Sequence, residues 1–206
     1  MRGRLDDETL IEKLRARDRD AFARLVRTLH GSLVRLAMMF VRSRATAEEI
    51  AQDTWGNVLA SLDQFEGRSS LRTWIFRICT NRAKTLASRE ARSTPLSAFG
   101  EENEQPVDPR RFAANGEWAD PPHAWTDETP ECVLDRAQAI EEIQRALGEM
   151  PAMQRAVISL RDVQGLDSGE VCNVLEISES NQRVLLHRAR SRVRRALERL
   201  YAGREE

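Results

Sequence analysis

Apolar residues recur along this chain at three- and four-residue steps, and no stretch of any length alternates with the two-residue period of a strand. Phe22, Leu25, Val26, Leu29, Leu33, Ala37 and Phe40 form one such series. It predicts an amphipathic helix, with a shorter one over residues 9–17 ahead of it. A second series begins at Thr46, where Glu49 stands three residues on as in a capping box. Its apolar face is Ala47, Ile50, Ala51, Thr54, Val58 and Leu62. A loop of Glu66, Gly67, Arg68 and Ser69 follows, and then a helix is predicted from Ser70 to Arg89 with Leu71, Ile75, Ile78 and Leu86 inward. The pattern lapses and resumes at Thr129-Pro130, a good helix start because proline lacks only an N–H that the first turn leaves unused. Val133, Leu134, Ala137, Ile140, Ile143 and Leu147 give that helix its stripe. Pro151 opens another, carrying Met153, Ala156, Val157 and Leu160 and ending near Gly165.

The gap between the two patterned regions has its own composition. Six of the seven prolines lie between Pro95 and Pro130, and residues 93–130 hold 2 basic against 8 acidic side chains. Such a segment buries too little apolar surface to offset its ordering entropy. It reads as a flexible linker, from which Trp118 and Trp125 stand out. The fold class expected is therefore all-α: two small helical domains, residues 1–92 and 131–206, joined by an acidic, proline-rich linker over 93–130. The net charge of −1 conceals a segregation, since residues 1–92 hold 18 basic and 12 acidic side chains. That basic excess favours a polyanionic partner.

The C-terminal pattern is the most specific. Asp167, with Glu170 three residues on, predicts a capped short helix whose apolar side is Val171, Val174 and Leu175. Glu176, Ile177 and Ser178 make a three-residue turn, and Ser178 caps a second helix. This is helix–turn–helix spacing, which places the second helix to enter a DNA major groove. From Glu179 to Leu200 that helix holds seven arginines against Glu179 and Glu198. An arginine-rich helix by itself is more often a solvated face. The capped helix and short turn before it shift the balance to DNA binding. Groove insertion puts N-terminal residues at base edges, here Ser180, Asn181, Arg183, Val184 and His187, while Arg188, Arg190 and later arginines suit phosphates.

Other chemistry finds little support. Cys79, Cys132 and Cys172 are odd in number and never in a C-x-x-C pair, and His30, His123 and His187 are scattered, so neither a disulfide framework nor a metal site is expected. No phosphate-binding loop or nucleophile elbow is present, so the chain is not expected to be an enzyme or to hold a cofactor. No apolar run approaches the ~20 residues of a membrane span, and the first residues lack the apolar core of a signal peptide, so a cytoplasmic location is expected.

Four stretches, in order, resemble the extracytoplasmic-function sigma factors, the compact sigma subunits of bacterial RNA polymerase. Asp20 to Val26 looks like the family's first core helix. Ala47-Glu-Glu-Ile-Ala-Gln-Asp-Thr-Trp55 looks like its polymerase-binding helix. Phe65-Glu-Gly-Arg-Ser-Ser-Leu-Arg-Thr-Trp-Ile-Phe-Arg-Ile-Cys-Thr-Asn81 looks like its promoter-melting segment. Met150 to Gly165 and the helix–turn–helix look like its C-terminal domain. The resemblance covers nearly all the chain except the linker.

The resemblance implies roles. Glu48, Glu49, Gln52, Asp53 and Trp55 fall where the family docks on core RNA polymerase. Glu66, Arg68, Ser69, Ser70, Arg72, Arg77, Asn81 and Lys84 fall where it opens DNA at the −10 element, by stacking, hydrogen bonds and cationic contacts to the backbone. Trp74 lies beside the Leu71–Ile75–Ile78 face, so packing is expected of it before base stacking. Ser180, Asn181, Arg183, Val184, His187, Arg188 and Arg190 fall on the reader of the −35 element. Gln182 replaces a usual core residue and leaves the rotational setting of that helix open by a step, and Arg82 stands where an apolar residue is common. The implied partners are core polymerase, promoter DNA and an anti-sigma factor, the chain being monomeric when free or heterodimeric with its inhibitor. The alternative is a helix–turn–helix regulator acting without polymerase, which would not need the Ala47–Trp55 helix or the melting segment.

Overall fold

The computed structural model describes residues 2–92 and 130–202, and these form helices and connecting turns without a strand. The expected linker, with Trp118 and Trp125, lies outside the described residues up to Pro130. The helices are α1 (Arg2–Arg15), α2 (Arg19–Ala37), α3 (Arg44–Ser61), α4 (Leu71–Arg92), α5 (Pro130–Glu149), α6 (Ala152–Ile158), α7 (Ser168–Leu175) and α8 (Glu179–Ala202). Short polar side chains set several starts by accepting from otherwise unused backbone N–H groups. Asp18 accepts from the N–H groups of Asp20 and Ala21 at the head of α2. Ser43 accepts from the Thr46 N–H, so α3 begins two residues before the start expected at Thr46. At α7 the predicted capping box forms in full, Asp167 and Glu170 each accepting from the other's backbone N–H.

By packing, the described helices fall into two compact units. In the first, α2, α3 and α4 pack on one another, α1 on α2, and α7 on α4. Its core includes Leu25, Leu29, Leu33, Ile50, Val58, Leu71, Ile75 and Phe76, all buried. Each large apolar side chain contributes about 1.5–3 kcal/mol on full burial. On α4 the inward set differs from expectation: Phe76, Cys79 and Ala83 are fully enclosed, whereas Ile78 and Leu86 are half-buried. Three mutually packed helices enclose a wider arc of α4 than one apolar stripe covers.

The second unit packs α5 and α6 against α8. Ala139 is buried and Ile140 is exposed, so the interior face of α5 is rotated from the stripe drawn through Ile140. The helix expected to run from Pro151 toward Gly165 changes winding at Ser159, where a π-helical turn over Ser159–Val163 closes with the Gln164 N–H donating to the Ser159 carbonyl at 2.9 Å. Gly165 then takes φ 69°, a left-handed conformation that costs an L side chain energy and glycine none.

Candidate nucleic-acid interface

The segment expected to melt promoter DNA is built around the start of α4. The loop before it turns at Gly67, whose φ of 71° favours glycine. Ser70 caps α4, accepting from the Thr73 N–H at 3.2 Å. Phe65 is buried and meets Trp74 at 4.9 Å between ring centroids, tilted by 45°. Trp74 is half-buried, so one part of the ring packs on Phe65, as expected, and another borders solvent. Together with Glu66, Arg68, Ser69 and Asn173 these rings line a cleft of about 390 Å³. Arg68 and Glu66 are both exposed there and pair at 2.8 Å.

Along α4 the predicted DNA-facing side chains lie on one side, and each already has a protein partner. Arg77 donates to Glu176 through Nε at 3.0 Å and Nη2 at 2.7 Å, and Asn81 donates to the same carboxylate oxygen at 3.4 Å. The ammonium of Lys84 donates to the Leu175 carbonyl. Ser70 and Thr73 hydroxyls donate to Glu170 Oε1 at 3.1 and 2.7 Å. Arg72 is half-buried, with its guanidinium 5.2 Å from the centre of the Phe76 ring. These contacts shift the titrating groups. The Arg77 hydrogen bond, assisted by Asn81, holds the Glu176 carboxyl below its ordinary value of 4.5. Burial pushes the Lys84 ammonium down, while the Glu176 charge opposes that shift. Glu170 and Glu176 had no expected role at this site. By sequence they are a capping-box partner and a turn residue, and no local signal ties them to residues about a hundred positions away.

On α3, Glu49, Gln52 and Asp53 are exposed and Glu48 half-buried, a polar strip along one side. Trp55 differs from them, being buried and edge-on to Phe22 at 5.8 Å. Its indole N–H donates to His30 Nδ1 at 3.3 Å. With Nδ1 occupied as acceptor, His30 Nε2 is the donor to Glu48 at 3.0 Å. Trp55 therefore reaches the polar strip through His30 rather than by its own surface. Arg82, where the family resemblance anticipated an apolar residue, donates to Asp53 through Nε at 3.0 Å and Nη2 at 2.7 Å.

The register of α8, left open by Gln182, is resolved by burial. Gln182, Leu186, Ala189, Val193 and Leu197 face the interior of the second unit. Ser180, Asn181, Arg183, Val184 and Arg188 are consequently exposed, and His187 is half-buried. Val184, an apolar residue, is 48% exposed on this face. Ser178 caps the helix, accepting from the Asn181 N–H at 3.2 Å. Arg190, expected beside the exposed residues of this face, turns inward. Its Nε and Nη2 donate to the two carboxylate oxygens of Asp162 at 2.9 and 2.6 Å. The period of α8 carries position 190 inward beside Ala189, and the π-helical turn presents Asp162 to meet it. Arg194 is likewise held, donating to Glu198 at 2.7 Å. Among the described residues no group of three His, Cys, Asp or Glu could hold a metal, and no helix is long and apolar enough to cross a membrane.

Comparison with known proteins matches two stretches of the chain. The sigma-70 region 2 family matches residues 25–93, and the sigma-70 region 4 family matches residues 140–193. The RNA polymerase sigma-H factor of Pseudomonas aeruginosa is 27% identical over 193 residues, covering 93% of this chain and 94% of the relative. The ECF RNA polymerase sigma-E factor of Escherichia coli K12 is 24% identical, covering 94% and 95%. Among solved structures, the sigma factor RpoE bound to the anti-sigma factor NepR from Bartonella quintana matches with a TM-score of 0.59 at 20% identity, covering 86% of this chain and 96% of that one. CnrH in complex with the cytosolic domain of CnrY matches with a TM-score of 0.58 at 20% identity, covering 93% and 97%.

Proposed function

This chain belongs to the extracytoplasmic-function sigma factors, and from that premise we propose how its residues divide the work of transcription initiation. The exposed strip Glu48, Glu49, Gln52 and Asp53 docks on core RNA polymerase, with Trp55 positioning Glu48 through His30. The loop Glu66–Ser70 and the α4 side chains Arg72, Arg77, Asn81 and Lys84 hold the opened −10 strand. The cleft beside Phe65 and Trp74 is large enough to receive an unstacked base, with the exposed part of Trp74 as its apolar wall. The face of α8 formed by Ser180, Asn181, Arg183, Val184 and His187 reads the −35 element, and Arg188 meets phosphate. Binding energy for the single strand drives melting, so the role is that of a specificity subunit and not of a catalyst. The site of action is the cytoplasm, where core polymerase is.

A single observation carries this reading: sigma-70 regions 2 and 4 are matched in order on one chain, and each holds an exposed or cleft-forming set of nucleic-acid-type side chains. A regulator acting without polymerase has no use for the first of these regions. Two structural relatives are described in complexes, one with an anti-sigma factor, and an inhibitor protein is proposed for this chain too. The decisive experiment supplies purified chain and core polymerase with a genomic fragment library and maps transcript starts. Initiation from a defined set of promoters is expected, and its absence would overturn the reading. Affinity capture from cells tests the inhibitor: recovery of neither polymerase nor an inhibitor protein counts against both partners.

A further inference from the structure

The α4 face assigned to the −10 strand is already in contact with α7. That helix lies within the stretch matched by sigma-70 region 4, yet it packs in the same unit as α4. Its contacts fall on the residues that would grip DNA. Glu176 occupies Arg77 and Asn81, the Leu175 carbonyl occupies Lys84, and Glu170 occupies the hydroxyls of Ser70 and Thr73. Asn173 forms one wall of the cleft beside Trp74. Chemically these partners resemble a nucleic-acid backbone. A carboxylate offers Arg77 the same oxygen acceptors that a phosphate offers, and the C-terminal carbonyl of a helix carries partial negative charge toward the ammonium. A side chain whose donors are directed at Glu176 is not available to a phosphate at the same time.

We propose that α7 is a displaceable, strand-mimicking cover on the −10 face of α4, so that single-stranded DNA and α7 compete for Arg77, Asn81 and Lys84. The inference rests on the reading of α4 as the −10 face. Its contacts suit a cover that must come off. Arg77 and Glu176 are 53% and 46% exposed, a setting in which an ion pair holds weakly and exchanges readily for another anion. Glu176 itself sits at φ 57° and ψ 50°, a left-handed conformation unusual for glutamate, so its carboxylate is placed there against a conformational cost. Glycine would be the relaxed choice at that helix end.

The test uses the full chain without polymerase and a fluorescein-labelled single-stranded oligonucleotide of mixed sequence, with affinity read by anisotropy. Glu176→Gly removes the carboxylate while suiting the left-handed backbone, and is expected to tighten binding roughly two- to five-fold, the scale of one exposed ion pair. Loss of an acidic group could do as much by charge alone, so Arg77→Ala is measured in both backgrounds. A cover predicts that Arg77→Ala weakens binding by a larger factor in the Glu176→Gly chain than in the natural chain, because Arg77 is then freed for DNA. An equal factor in the two backgrounds would overturn the cover and leave the α4 reading intact. No effect of Arg77→Ala in either background would overturn the α4 reading and the cover with it. Glu170→Gln is the charge control, since glutamine keeps the capping box and the acceptor for Ser70 and Thr73 while removing one negative charge. A gain from Glu170→Gln as large as that from Glu176→Gly, or unchanged affinity in Glu176→Gly, would overturn the cover.

Discussion

Helices α4 and α8 both carry arginines in numbers that suggest nucleic acid, and they dispose of them in opposite ways. On α4 the cationic side is outward yet engaged: Arg77 is held by Glu176 and Arg82 by Asp53. On α8 the arginines divide between two faces. Arg183, paired only with Glu179 of its own helix at 3.6 Å, and Arg188 point outward with Asn181 and Val184, whereas Arg190 is folded onto Asp162. The lesson is that arginine content and arginine availability are separate properties. Content is set by sequence. Availability is set by which way the helix turns and by what distant carboxylates the fold brings alongside.

The sharpest way to test this division compares two ion pairs made with the same edge of the guanidinium, Arg190 bonding both oxygens of Asp162 and Arg82 one oxygen of Asp53. Arg190–Asp162 and Arg82–Asp53 are both made through Nε and Nη2, with shortest contacts of 2.6 and 2.7 Å. Their surroundings differ: the Arg190 side chain is 9% exposed and that of Arg82 is 42%. Arg190→Ala is expected to destabilise the chain by about 3 kcal/mol in urea unfolding, because it strands a partly enclosed carboxylate. Equal or greater stability for Arg190→Ala would mean that the pair is not structural and would return Arg190 to the DNA-facing set.

The outward arginines of α8 should show their effect in binding instead of folding. Arg183→Ala is expected to cost ~1–3 kcal/mol on promoter DNA and to relax preference at one upstream position. Arg188→Ala should weaken all promoters alike and lower the salt dependence of binding by about one counterion. Binding to a library of upstream-element variants at several salt concentrations separates the two. Uniform losses from both would show that Arg183 does not face bases. Smaller again is Arg82→Ala, expected to cost about 0.2–1 kcal/mol in unfolding, as for exposed pairs generally. A loss near that of Arg190→Ala would erase the difference between the two pairs.

Much of this architecture was legible in the sequence because its signals are local. Three- and four-residue apolar spacing located the helices, and Asp167 with Glu170 and Ser178 marked the helix–turn–helix starts, all of which the side-chain hydrogen bonds reproduce. The illegible parts depend on long-range packing. The interior role of Gln182 follows from the rotation of α8 against α5 and α6, which a polar residue at that position obscures. The inward turn of Arg190 needs a π-helical turn that has no sequence signature here. The partners of Arg77 and Asn81 come from across the chain, so no periodicity within α4 could reveal them. His30, one of three scattered histidines, gains meaning only when α2 lies beside α3 and Trp55 meets it.

The smallest expected effect tests whether Glu176 is bound to α4 in solution at all. Arg77 favours the charged form of the carboxyl, so the folded-state value lies below the ordinary 4.5. A depressed carboxyl contributes stability that is fully present above its unfolded-state value and fades as pH falls through its folded-state value. The contact should therefore be intact near neutrality and loosen only in acid, below about 4.5. Carbon-13 chemical shifts of the Glu176 carboxyl, followed through an acid titration, should give a midpoint under that value. Arg77→Ala should move the midpoint back upward, by removing the largest cause of the shift, while Arg82→Ala should leave it in place because its partner is Asp53. An ordinary glutamate midpoint in the natural chain would mean that Glu176 samples solvent rather than Arg77, and the contrast between an engaged α4 and an open face on α8 would lose its basis.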